Sequence, residues 1–356
     1  MIKKISLFIS LSISVNASGA WMVKSVHDEL IQKIFFVDEM NGWACANFPG
    51  VLKTEDGGNT WKKIYFGGNG SIYAIWFVTK DKGWAVGAHV EGGNYGDSGI
   101  RVHPVIFVTN DGGQSWYLQK IIEKHSGDFE SLFFTDELHG WVSGGVSNRP
   151  NGILLYTNDG GENWMEFDSP AMRHDDDSGD NVFIRDIYFS DPQHGWAIGQ
   201  DFGVIKPYNS VIKTKIFYTS DSGKSWSLQS TINNGSELSN IHFIDSMNGW
   251  VIGGRQKDGN AFLRTTNGGN TWTKMSMPPE EEDLWLSDAF FVDKMHGWAC
   301  GDKGMLFITN DGGNSWIIES LPTEEYLKTI IATKSKIYIG GLDGNIYINP
   351  LSFEIK

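Results

Sequence analysis

Thr54-Glu55-Asp56-Gly57-Gly58-Asn59-Thr60-Trp61 is one of six closely similar octapeptides along the chain. The others are Thr109 to Trp116 (TNDGGQSW), Thr157 to Trp164 (TNDGGENW), Thr219 to Trp226 (TSDSGKSW), Thr265 to Trp272 (TTNGGNTW) and Thr309 to Trp316 (TNDGGNSW). Their spacings of 55, 48, 62, 46 and 44 residues mark an internal repeat of the size used by solenoids and propellers. Because the repeat runs through nearly all of the 356 residues, one large closed domain is expected rather than two.

A second motif, an apolar strand, a turn and Gly-Trp, precedes each octapeptide: FFVDEMNGW (Phe35 to Trp43), WFVTKDKGW (Trp76 to Trp84), FFTDELHGW (Phe133 to Trp141), YFSDPQHGW (Tyr188 to Trp196), HFIDSMNGW (His242 to Trp250) and FFVDKMHGW (Phe290 to Trp298). A Phe stands seven residues before the Trp each time, and Ile331 with Tyr338 keeps that offset in a worn seventh copy. Each unit reads as four short strands: A ending at the Phe, B opening at Gly-Trp, C running into the octapeptide and D leaving its Trp. Seven such antiparallel units predict an all-β, seven-bladed β-propeller. The last unit has no octapeptide and is one strand short. Ala20 to Lys24 has the pattern of a strand D, so this N-terminal segment is predicted to complete blade seven and close the ring, with Ser352 to Ile355 competing for that place.

Composition fits: 43 Gly, 15 Trp and only 10 Pro suit many short strands joined by glycine turns. The net charge of −14 disfavours nucleic acid, which requires a clustered basic face. Lys3 and Lys4 followed by the apolar run Ile5 to Val15 have the form of a secretory signal, with cleavage expected after Ala17 or Ala20. Residues 21–356 are then one exported propeller domain, periplasmic or secreted, expected to be monomeric and without a transmembrane segment. Cys45 and Cys300 occupy equivalent places in two units that are not neighbours, so two buried free thiols are expected rather than a bridge.

Within the octapeptide, glycines supply the positive φ of a tight turn, the Asp accepts local N–H and hydroxyl groups, and the Trp is expected to pack on the hairpin and on the next blade. Asp56, Asp111, Asp159, Asp221 and Asp311 are therefore structural. Asn267 at the fifth copy keeps the hydrogen bonding without the charge, which argues against catalysis there. Ser/Thr-x-Asp-x-Gly-x-Ser/Thr-Trp resembles the Asp-box, or BNR, repeat. Together with the Gly-Trp strands it is similar to the propellers of photosystem II stability and assembly factors and their non-photosynthetic bacterial relatives, across residues 20 to 350. That resemblance implies a non-enzymatic scaffold for a protein partner, recognised in those factors through an arginine-rich patch; six arginines and an acidic excess set this chain apart. Asp-box propellers also include sialidases and xyloglucan hydrolases. No Arg-Ile-Pro occurs here and seven units are counted where sialidases have six, which argues against sialidase activity.

Chain direction puts the A–B turns and boxes on one side, with His139, His194 and His296 as turn residues, and the B–C and D–A connections on the other. Length variation falls on the latter: B–C insertions at 89–103, 146–152, 200–214 and 255–260, and long D–A connections. Variable loops on a rigid scaffold are where binding usually resides. Ligand-binding candidates there are Lys33, Glu130, Arg185, Asp186, Asn240, Asp288 and Lys328, at the start of strands that line the channel, with Arg101, Arg149 and Arg255 in loops. No cofactor is expected. The acidic run around Asp175 and Asp177 is a fragment of a calcium loop without the closing bidentate Glu, and reads more simply as a solvated loop. The leading expectation is a protein partner on the B–C/D–A face. The alternative is a glycan, bound by a lectin or cleaved by a glycoside hydrolase with Glu130, Asp186 and Asp288 as carboxylates.

Overall fold

The computed structural model describes residues 21–26, 28–92, 99–123, 126–146, 149–173, 182–201, 213–232, 237–254, 261–277 and 285–351. They form seven antiparallel four-stranded sheets. The inner strands A are Ile31–Phe36, Gly70–Phe77, Gly127–Phe134, Phe183–Phe189, Leu238–Phe243, Leu286–Phe291 and Leu327–Ala332, and they number blades 1 to 7. Met22–Ser25 pairs with Asn345–Pro350 as the outer strand of blade 7, with Met22 opposite Ile348. The ring is thus closed by the N-terminal strand. Trp21 fixes that strand to blade 6, its Nε1 donating to Glu319 Oε1 at 2.7 Å. Both thiols are buried and free, and burial pushes Cys45 up to about 12.

The constant Phe-to-Trp offset has a packing cause. In register, Phe36 lies opposite Gly42, and the same holds for Phe77 and Gly83, Phe134 and Gly140, Phe189 and Gly195, Phe243 and Gly249, and Phe291 and Gly297. The Phe ring covers the glycine so closely that a Cβ on Gly83 would stand 2.5 Å from Phe77. The opposite face of that ring takes the Trp of the preceding blade: Trp43 stacks on Phe77 with centroids 3.5 Å apart, Trp84 on Phe134 at 3.5 Å, Trp196 on Phe243 at 3.6 Å and Trp250 on Phe291 at 3.7 Å. Tyr338 takes the role at the last joint, stacking on Phe36 at 4.1 Å.

The same Trp reaches the next blade's box. Trp43 Nε1 donates to Gly112 O, Trp84 to Gly160 O, Trp196 to Gly268 O and Trp250 to Gly312 O, all at 3.1–3.3 Å, and Tyr338 Oη to Gly57 O. The acceptor is the first of two consecutive box residues with positive φ, as at Gly57 (64°) and Gly58 (82°). The expectation that box tryptophans pack on the next blade is corrected here. Trp116 stands edge-on to Phe77 of its own blade and beside Phe66, which leads in from the preceding one. The Gly-Trp indole is what crosses forward, because strand B is the second strand of each sheet and its side chains face the adjoining sheet. The fourth box departs from the rule: Ser222 replaces the first glycine, at φ 64°, and Trp141 of blade 3 packs edge-on to Trp226.

Within the box the polar groups close on themselves. Asp111 accepts from Thr109 Oγ1 at 2.8 Å, from Ser115 N at 2.9 Å and from the Ser115 hydroxyl, while Gly113 N donates to Thr109 Oγ1. Asn267 repeats the pattern as an amide, accepting from Thr265 Oγ1 and Thr271 N and donating to Thr271 Oγ1. The adjacent A–B turns are capped likewise, with His139, His194 and His296 each bonded to the Asp three residues before it.

Candidate functional site: the channel mouth

Every inner strand carries one β-bulge, and all seven fall at the same position. An extra residue bends a strand and re-aims its side chains. The bulged residues are Gln32, Tyr73, Glu130, Arg185, Ser239, Ser287 and Lys328, and all seven line the central channel at the end where the inner strands begin. The channel holds a cavity of about 610 Å³. Of the expected site residues, Lys33, Glu130, Arg185, Asp186, Asn240, Asp288 and Lys328 are brought together on its wall. Arg101 is not: it sits exposed on strand C of blade 2, opposite Glu91. Arg149 lies in strand C of blade 3 with its side chain outside the described residues, as are Arg255, Asp175 and Asp177. His89 to Glu91 and Arg101 to His103, expected within an insertion, pair instead as a lengthened hairpin.

The residues following the bulges tie neighbouring blades. Asp186 of blade 4 accepts from Ser131 Oγ of blade 3 at 2.9 Å and from Ile241 N of blade 5 at 3.0 Å. Asp288 of blade 6 accepts from Thr329 Oγ1 and Ile330 N of blade 7, both at 3.1 Å, and pairs with Lys33 of blade 1 at 3.2 Å. These two carboxylates therefore join six of the seven inner strands. Above them Arg185 pairs with Glu130, donates from Nε to Gln200 Oε1 at 3.0 Å and lies over the Phe183 ring at 4.4 Å. Each expected hydrolase carboxylate is thus already engaged within the wall.

Charge and burial compete here. Burial raises Asp186 to about 6 despite Lys33 and its donors. Burial, aided by Glu130, likewise lifts Asp128 to about 6. Burial opposes the charge on Lys33, yet Asp288 and Asp186 outweigh it and hold the ammonium above the ordinary lysine range. For Lys328 burial prevails over Glu130 and Asp288, and its affinity for a proton falls.

Below the polar tier runs a collar of rings. Phe35, Trp76, Phe133, Tyr188, His242 and Phe290 follow one another with centroid separations of 4.2–5.4 Å, and Ile331 takes the seventh place. Ile331 pairs with Tyr338 as Phe35 does with Trp43, so the equal offset misaligned it with Phe36, whose place falls to Ala332. His242 Nε2 bonds Phe291 O at 2.9 Å, and burial pushes the imidazole down to about 4. Asp128, Tyr73, Trp285 and Tyr326 on the wall are absent from the sequence-based list. Their signal is positional: Tyr73 is the bulge of blade 2, and the other three stand two residues before theirs.

Among the described residues no group of three or more His, Cys, Asp or Glu is arranged to hold a metal ion, and no helix is long and apolar enough to cross a membrane. Residues 219–316 match the family model described as photosynthesis system II assembly factor YCF48. A comparison with curated proteins finds no sequence match. Among solved structures, YCF48 bound to D1 peptide aligns over 96% of this chain and 98% of its own, with 17% identity and a TM-score of 0.67. YCF48 from Cyanidioschyzon merolae aligns over 93% and 99%, with 17% identity and a TM-score of 0.66. The GH74 xyloglucanase from Xanthomonas campestris aligns over 93% of this chain and 54% of its own, at 13% identity and a TM-score of 0.63. The chain is an Asp-box repeat, seven-bladed propeller resembling the photosystem II assembly-factor family, whose model its residues 219–316 match.

Proposed function

We propose that this protein is an exported, non-enzymatic scaffold that binds a polypeptide partner over the channel-mouth face and assists assembly of an envelope complex. The observation that carries the reading is the common position of the seven bulges, which turn one side chain per blade onto the channel wall. The opposite face uses its polar groups on its own turns. YCF48, a structural relative, is bound to a D1 peptide, and that precedent favours a peptide segment as the occupant. The mixed charge of the wall suits a polar segment better than a basic or acidic tract.

The test is capture of envelope polypeptides by the tagged protein, compared with a Glu130→Ala, Arg185→Ala double variant that retains the wild-type melting temperature. Loss of a specific captured polypeptide in the variant is expected. Unchanged capture would contradict the reading. A glycan is the second reading, favoured by the collar of six aromatic rings, on which a sugar face stacks. Binding on a glycan array abolished by Trp76→Ala would promote it, and turnover of a fluorogenic glycoside lost in Asp186→Asn would establish a hydrolase.

A further inference from the structure

Once the internal pairs are set aside, the cavity wall retains three charged side chains that make no ion pair and no hydrogen bond with another residue among those described. They are Asp128 of blade 3, Glu237 at the entrance to blade 5 and Lys328 of blade 7. Lys33 is neutralised by Asp288 and Arg185 by Glu130, so among the described residues these three are the charges the wall leaves for a visitor. Blades 3 and 7 stand across the ring from one another, with blades 1 and 2 between them on one side and 4, 5 and 6 on the other. Half-buried charge without a partner is costly, and a ligand bearing the complementary charges relieves that cost on binding.

We propose that the channel mouth binds a short peptidic zwitterion, its carboxylate on Lys328, its ammonium on the side of Asp128 and Glu237, and an apolar side chain directed toward the aromatic collar. A cavity of about 610 Å³ lies within the range of small-ligand sites, apolar below with a few polar groups that fix orientation. Trp285 also lines the wall, and an indole face attracts an ammonium. The required chemistry is a free carboxylate and a basic group on one short backbone. A free oligopeptide supplies both, and so does the C-terminal end of a protein with a nearby lysine.

Calorimetric titration of the full chain with Ala-Ala-Phe, its N-acetyl form and its C-terminal amide tests this. The unmodified tripeptide is expected to bind, with each blocked form at least tenfold weaker. In Lys328→Met amidation no longer matters, in Asp128→Asn acetylation no longer matters, and Lys328→Arg restores the carboxylate dependence. An N-acetylated dodecapeptide with a lysine three residues from its free C-terminus separates the sources: equal affinity assigns a protein tail, and binding of the tripeptide alone assigns a free peptide. Absence of binding by every free-carboxylate peptide at millimolar concentration, or equal binding of the blocked forms, would overturn the proposal. Capture of an envelope partner can fail while this titration succeeds, so the two readings are separable.

Discussion

Asp111 at the box face and Asp186 at the channel mouth are the same side chain in opposite electrostatic settings. Burial opposes the charge on Asp111, but the Ser115 and Thr109 donors outweigh it and hold the carboxyl down at about 2. Asp186 has comparable donors, yet burial in the channel wall lifts it to about 6. The box carboxylates are therefore permanent anions that fasten a turn. At the mouth, Asp186 and Asp128 are held where protonation is within reach, beside cations and an open cavity. The repeated motif has the appearance of an active site and the function of a joint, while the irregular end of the same blades carries the available chemistry.

The joint is the place to break that contrast most severely. Trp250→Ala removes the stack on Phe291 and the bond to Gly312 O, and a loss of about 3–5 kcal/mol is expected in urea unfolding. Gly249→Ala follows: its Cβ would meet the Phe243 ring at 2.5 Å, and Trp196 on the far side leaves that ring no retreat, so about 1–3 kcal/mol is expected. Asp111→Ala should cost about 1 kcal/mol, since its hydrogen bonds are exposed to water, and Asp111→Asn less, as Asn267 already demonstrates in the fifth box.

How much of this was legible in the sequence follows from what each feature depends on. Seven blades, four strands each and closure by the N-terminal strand were readable because the motifs repeat and the strand periodicity is local. The Phe-to-Trp offset was visible as a number, but its cause lies in cross-strand register, Phe77 over Gly83, and in a neighbouring blade, Trp43. The polar residues expected at the start of the inner strands, Lys33, Asp186 and Asp288 among them, do lie on the channel wall. Their division into a bulged tier and a stitching tier was invisible, because a bulge is a mismatch between two strands and has no signature in either alone. Arg101 was misplaced for a related reason: pairing of Glu91 with Arg101 extends a hairpin that composition reads as loop.

The smallest expected effect is on pH dependence, because water at the mouth screens it. The folded value of Asp186, about 6, lies above that of an unfolded Asp, so its contribution is full below about pH 4 and is lost as pH rises through 6. Asp186→Asn should therefore flatten the fall in urea midpoint between pH 4 and 6. Asp111→Asn acts in the other direction. The depressed Asp111 value means its contribution is present above about pH 4 and lost as pH falls toward 2, so that variant alters only the acid limb.

The division of labour between the two faces is tested most directly by one binding experiment on three proteins: wild type, a mouth variant (Glu130→Gln with Lys328→Met) and a box variant (Asp111→Asn with Asp311→Asn). Each is titrated with the polypeptide captured from the envelope fraction, after melting curves have established that all three are folded. The mouth variant is expected to lose affinity at least tenfold while the box variant binds as wild type does. Loss of binding in the box variant with the mouth variant unaffected would contradict that division.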